Sequence, residues 1–153
     1  MKNLFQDISE LEFDDYTKVG YAPFLVSVFD HRLTEAEFVK KEFVCHSEAL
    51  RNGNIEKYMI GEKKFISMYM DMAKDGVVTI LNGKQIDLAY NSKALYSIIT
   101  DSLREIVPMD VYFNRYEVRV VGGFDRTDLF LSVKNPPEKE LYSCISLHGL
   151  YIL

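Results

Sequence analysis

The dipeptide Asn82-Gly83 constrains this chain more than any other pair of residues. It stands between an apolar run, Val77–Leu81, and a second run from Lys84 to Ala89. A two-residue hairpin loop that matches the twist of its strands needs positive φ at both central positions, and Asn-Gly tolerates this at low cost. The segment therefore predicts an antiparallel hairpin.

Other spans extend the sheet. Phe24–Phe29 reads as a first strand with Pro23 at its mouth, where a missing N–H is tolerated. Val111–Val121 reads as one long strand, with Tyr116, Val118 and Val120 on one face and Arg115, Glu117 and Arg119 on the other. The loop Gly122–Asp128 turns it back into a strand carrying Leu129, Leu131 and Val133, which Asn135-Pro136-Pro137 breaks. Leu141–Leu153 reads as a final apolar strand bent at Gly149.

Helix signals are fewer. Thr34-Glu35-Ala36-Glu37 is a capping box, followed by an apolar stripe of Ala36, Val39, Phe43, His46 and Leu50, with Gly53 as the stop. Residues 55–75 fit either periodicity, and the closing Lys74-Asp75-Gly76 favours helix. Asn91-Ser92 caps a further helix that buries Leu95, Ile98, Ile99 and Ile106 before Pro108 ends it. Leu4, Ile8 and Leu11 allow a short amphipathic helix near the start. Strands in adjacent hairpins, with helices that do not alternate with them, define an α+β fold. A mainly antiparallel sheet built from hairpins is expected to pack against two or three helices. The 153 residues form one domain, 1–153, with the acidic segment 1–20 docked on it.

Composition sets the class of partner. Lys and Arg total 18 against 23 Asp and Glu, a net charge of −5. Phosphate contacts need a basic footprint, so nucleic-acid binding is disfavoured, and a basic protein partner suits the charge. The ten Tyr and ten Phe serve half-buried strands or a contact face. No long apolar run marks an export signal or a membrane span, and a cytoplasmic location is expected.

The search for chemistry mostly excludes. The histidines, His31, His46 and His148, lie far apart, with no HxH, HExxH or CxxC. His46 reads as a core or boundary residue, and His31 as a loop-ordering one. Cys45 and Cys144 read as reduced, packed thiols. Cys45 is adjacent to His46, but helical neighbours point about 100° apart, which rules out a nucleophile–base pair. Gly122-Gly123 leads into acidic Asp125 rather than a helix N-terminus, so it is no phosphate cradle. The strongest catalytic set is Asp110, Glu117 and Arg119, to which His31 can be added, as in a metal-dependent nuclease. No cofactor and no resident metal are expected.

What remains looks like recognition. Phe124 stands as an aromatic among Asp125, Arg126 and Asp128 on a glycine-hinged loop, and Asp14 and Asp15 sharpen the acidic N-terminal segment. These six residues are the expected partner contacts. The resulting expectation is a non-catalytic, immunity-type protein that neutralises a basic effector, such as a toxin nuclease, by masking its active site. The alternatives are a small metal-dependent hydrolase or nuclease-like enzyme, and an oligomeric accessory protein of a mobile element. Such an oligomer would pair through an edge strand, for which the last strand is the candidate.

Overall fold

A computed structural model describes residues 3–40 and 45–153. Seven antiparallel-paired strands form one sheet in the order β3-β2-β4-β5-β6-β1-β7. They are β1 (Ala22–Ser27), β2 (Val77–Leu81), β3 (Lys84–Leu88), β4 (Asp110–Phe113), β5 (Val118–Val121), β6 (Thr127–Ser132) and β7 (Tyr151–Ile152). The helices are α1 (Glu35–Lys40), α2 (His46–Arg51), α3 (Ile55–Met72), α4 (Lys93–Leu103) and α5 (Lys139–Leu147).

The Asn82-Gly83 hairpin forms as expected: both residues have positive φ (52° and 74°), and Leu81 pairs with Lys84. Ser92 caps α4 by accepting the Leu95 amide at 3.2 Å. The capping box before α1 is reciprocal, with the Glu37 amide donating to Thr34 Oγ1 at 3.2 Å and the Thr34 amide to Glu37 Oε2 at 2.9 Å. The ambiguous span 55–75 is helix up to Met72, followed by a 3-10 turn, Ala73–Asp75.

Four expectations are corrected. The long strand 111–121 is a hairpin, because Phe113 pairs with Val118 and residues 114–117 make the turn. No Gly or Pro marks that turn; Glu117 takes the positive φ, 48°, itself. The final apolar strand is mostly α5, whose buried Leu141, Cys144 and Ile145 follow helical spacing, and Gly149 (φ 75°) is its stop rather than a strand bend. Only Tyr151 and Ile152 are strand, at the sheet edge beside β1. The helix expected from 34 to 50 appears as α1 and α2 separately, and Val39 and Leu50 of its stripe are exposed. Phe43 lies outside the described residues. Leu4, Ile8 and Leu11 are not helical; a 3-10 helix, Phe13–Val19, follows them instead.

The sheet is covered on both faces. On one, Phe65, Met68 and Met72 of α3, Leu95 and Ile99 of α4, and Ile145 of α5 pack on Val26, Val111 and Phe130. On the other, the N-terminal segment docks: Phe5 meets Val78 and Tyr112, while Ile8, Leu11 and Tyr16 pack around Leu131. Burying these apolar surfaces at about 25 cal/mol per Å² is the main drive that holds the two layers to the sheet. None of the described helices is long and apolar enough to cross a membrane.

Candidate functional site

The loop between β5 and β6 is held from behind by buried charge. Asp128 and Arg126 are 3% and 8% exposed, so neither reaches a partner's surface as the sequence reading expected. Their side chains point inward. Asp128 accepts the hydroxyl of Tyr69 on α3 and, at 2.9 Å, the Gly123 amide. Burial raises its carboxyl to about 6, against the opposing pull of those two donors. Arg126 donates to the Tyr58 carbonyl at 2.9 Å and lies over the Tyr58 ring, 4.2 Å from its centroid. Burial also lowers the pKa of its guanidinium.

The support continues into the helices. Tyr58 donates to the Leu103 carbonyl at 2.8 Å, which ties α3 to the end of α4. Arg104, the residue after α4, grips the buried Glu62 through two bonds of 3.0 and 2.9 Å. Glu105 then accepts the Asp125 amide at 3.1 Å. Gly123 has no room for a side chain, because a Cβ there would stand 2.1 Å from the Thr127 carbonyl oxygen.

This framework displays a tip. Phe124 is 71% exposed, with Asp125 exposed beside it. Ile106, expected on the buried side of α4, instead lies beyond the helix end and is 65% exposed, and Val107 beside it is 59% exposed. Val107 is also on the rim of an apolar groove of about 410 Å³ that runs along Ile80, Leu81, Ile98 and Met109. Six described non-glycine residues have positive φ, and three of them, Glu105, Asp125 and Arg126, sit at this tip. Left-handed backbone costs of order 1–3 kcal/mol at such residues and persists only where the surroundings enforce it.

The other expected site residues are elsewhere. Asp14 is exposed, and Asp15 is half-buried and paired with Lys18 at 2.7 Å. Both lie on the 3-10 helix that covers the sheet face opposite α3. Arg119 is buried on that same face and clasps Asp110 through bonds of 2.8 and 2.7 Å. It also donates to the Gln6 carbonyl at 2.7 Å and lies over the Phe5 ring. Glu117 is in the β4–β5 turn, paired with Lys134 at 3.0 Å. His31 bridges Asp30 and Glu37 at 2.6 and 2.8 Å and orders the entry to α1, the role read from its sequence. Of the Asp110–Glu117–Arg119–His31 set, Asp110 and Arg119 are brought together, while Glu117 and His31 have other partners. Arg119 locks the N-terminal layer to the sheet.

One cluster escaped the sequence reading. Asp71 on α3 meets Cys144 and His148 at the end of α5, all with ligand atoms within 4.8 Å of one another. Asp71 Oδ2 lies 3.6 Å from Cys144 Sγ and 3.2 Å from His148 Nε2, while Lys74 holds Oδ1 at 2.8 Å. Lys74 first, then His148, holds the Asp71 carboxyl down at about 2. Burial, with the Asp71 charge adding to it, pushes the Cys144 thiol up to about 11, so the metal-free thiol is protonated at neutral pH. Cys144 and His148 are four apart in one segment, and that helical spacing was the available signal; the strand assignment for 141–153 hid it. Cys45, half-buried at the N-cap of α2, is not bonded to Cys144, and His46 stacks edge-on to Tyr58 with centroids 5.2 Å apart. No protein-family model, curated protein or solved structure matches this chain.

Proposed function

We propose that the chain is a protein-binding inhibitor of the immunity type, which docks a basic effector through the Phe124–Asp125 tip. The observation that supports this is the combination of an exposed aromatic with strained, buried-charge support behind it. Positive φ at Asp125 and Arg126 is what the turn closed by the Thr127 amide on the Phe124 carbonyl requires, but an ordinary hairpin loop needs no buried Asp128 carboxyl and no buried Arg126 guanidinium behind it. A loop ordered before binding loses little conformational entropy on docking, and affinity gains accordingly. Phe124 supplies the anchor, Asp125 and Glu105 supply the acidic rim, and Ile106 and Val107 extend apolar contact toward the groove. The net charge of −5 steers a basic partner toward the molecule. Masking the active site of a toxin nuclease, whose substrate is itself anionic, fits an acidic surface of this kind.

Of the six expected contacts, Phe124 and Asp125 are kept, Arg126 and Asp128 move to a supporting role, Asp14 and Asp15 on the opposite layer are left out, and Glu105, Ile106 and Val107 are added. The experiment is a binding titration against the basic protein retained by this chain in its native host. Phe124→Ala is expected to weaken binding by at least about 2 kcal/mol, the scale of an anchor residue. Asp125→Lys is expected to slow association and flatten its salt dependence. Affinity and rates unchanged in both variants would overturn the reading.

A further inference from the structure

The Asp71–Cys144–His148 cluster has no part in the recognition tip, and its donors have the composition of a metal site. We propose that these three side chains bind a zinc ion. A thiolate, an imidazole and a carboxylate are the three ligand types that zinc accepts. With bond lengths of about 2.3 Å to sulfur and about 2.0–2.1 Å to nitrogen and oxygen, a tetrahedral zinc sets S···O near about 3.5 Å and N···O near about 3.3 Å. The separations here are 3.6 and 3.2 Å, so both edges that meet at Asp71 match the ion, and the sulfur and the imidazole nitrogen lie within 4.8 Å of each other.

The surroundings hold the ligands in place. Cys144 and His148 are one helical turn apart at the C-terminal end of α5, where the helix dipole favours a cation. Lys74 occupies Oδ1 of Asp71 and leaves Oδ2 turned toward the thiol and imidazole, the role of an outer-shell partner. Binding displaces the Cys144 proton to solvent, and the Nε2 proton that faces Asp71 Oδ2 is exchanged through solvent for one on Nδ1, which frees the Nε2 lone pair for the ion. Three protein ligands leave the fourth position to water.

The test uses the untagged full chain, stripped with a chelator and titrated with Co²⁺ and then Zn²⁺. One equivalent of Co²⁺ should bind with a thiolate-to-cobalt charge-transfer band in the near ultraviolet. One equivalent of Zn²⁺ should displace it, release protons and raise Tm. Cys144→Ser should abolish the band, and His148→Gln should weaken Zn²⁺ binding by more than the roughly 10–100-fold that loss of an outer-shell partner costs. Cys45→Ser should change neither. Zinc-edge X-ray absorption of the wild-type chain needs no variant, and it should show one sulfur at about 2.3 Å with the remaining donors nitrogen and oxygen. A sulfur-free shell, a band that survives Cys144→Ser, or no stoichiometric binding by the folded wild type would overturn the proposal.

Discussion

Asp128 links a single carboxyl to the stability of the whole loop. Its folded value is raised to about 6 from an ordinary 3.8 by burial. Between those two values the folded chain holds a proton that the unfolded chain has released. The stabilising contribution is therefore full below the unfolded value and is lost as pH rises through about 6. Asp128→Asn keeps an acceptor for the Gly123 amide and cannot ionise. Urea unfolding at a series of pH values should show the wild type losing stability relative to Asp128→Asn between about pH 4 and pH 7. Parallel curves for the two proteins would mean that Asp128 does not titrate as a buried acid. None of this burial was legible in the sequence, where Asp125, Arg126 and Asp128 read as one exposed charged group. A loop of charged residues looks the same whether its side chains face water or the interior. The inward partners, Tyr69 and Tyr58, come from α3, more than fifty residues earlier.

At the scale of elements, α3 is the spine that serves both sites, and Gly61 shows how tightly it is fitted. A Cβ at position 61 would stand 2.4 Å from the Arg126 guanidinium. Gly→Ala inside a helix ordinarily stabilises by roughly 0.5–1 kcal/mol. Here the sign should reverse. Gly61→Ala must displace a buried guanidinium from the Tyr58 carbonyl and ring, and a net loss of about 1–3 kcal/mol is expected from urea unfolding, as for other overpacked sites. Elements with local chemical signatures were readable in advance: the Asn82-Gly83 hairpin, the Ser92 cap and the Thr34–Glu37 box each rest on residues within four positions. The failures have a physical cause as well. In 111–121 the alternation of apolar and polar residues runs straight through a turn that contains neither Gly nor Pro. In 141–153 an apolar run satisfies both periods, and only the packing of Leu141 and Ile145 beside α3 selects the helix. That second failure is what concealed the Asp71–Cys144–His148 cluster.

For the whole molecule, the sheet carries two layers with different tasks. The N-terminal layer is fastened by Arg119, which bonds both Asp110 and the Gln6 carbonyl and makes the acidic segment part of the fold. The helical layer supplies the framework behind the Phe124–Asp125 tip and holds the zinc ligands on α3 and α5. Fold class was legible in the sequence because hairpins and caps are local, whereas the tip's rigidity and the cluster are assembled over long separations. The proposed function requires that a basic protein docks on the tip. The most direct measurement replaces Phe124 with a benzophenone-bearing amino acid and irradiates the protein in cells of its native host. Leu147, 80% exposed on α5, serves as the control position. A single cross-linked protein of basic surface is expected at position 124, diminished by Asp125→Lys and absent from position 147, as docking on the tip requires. Cross-linking at position 124 no stronger than at 147, or to a partner indifferent to Asp125→Lys, would contradict it.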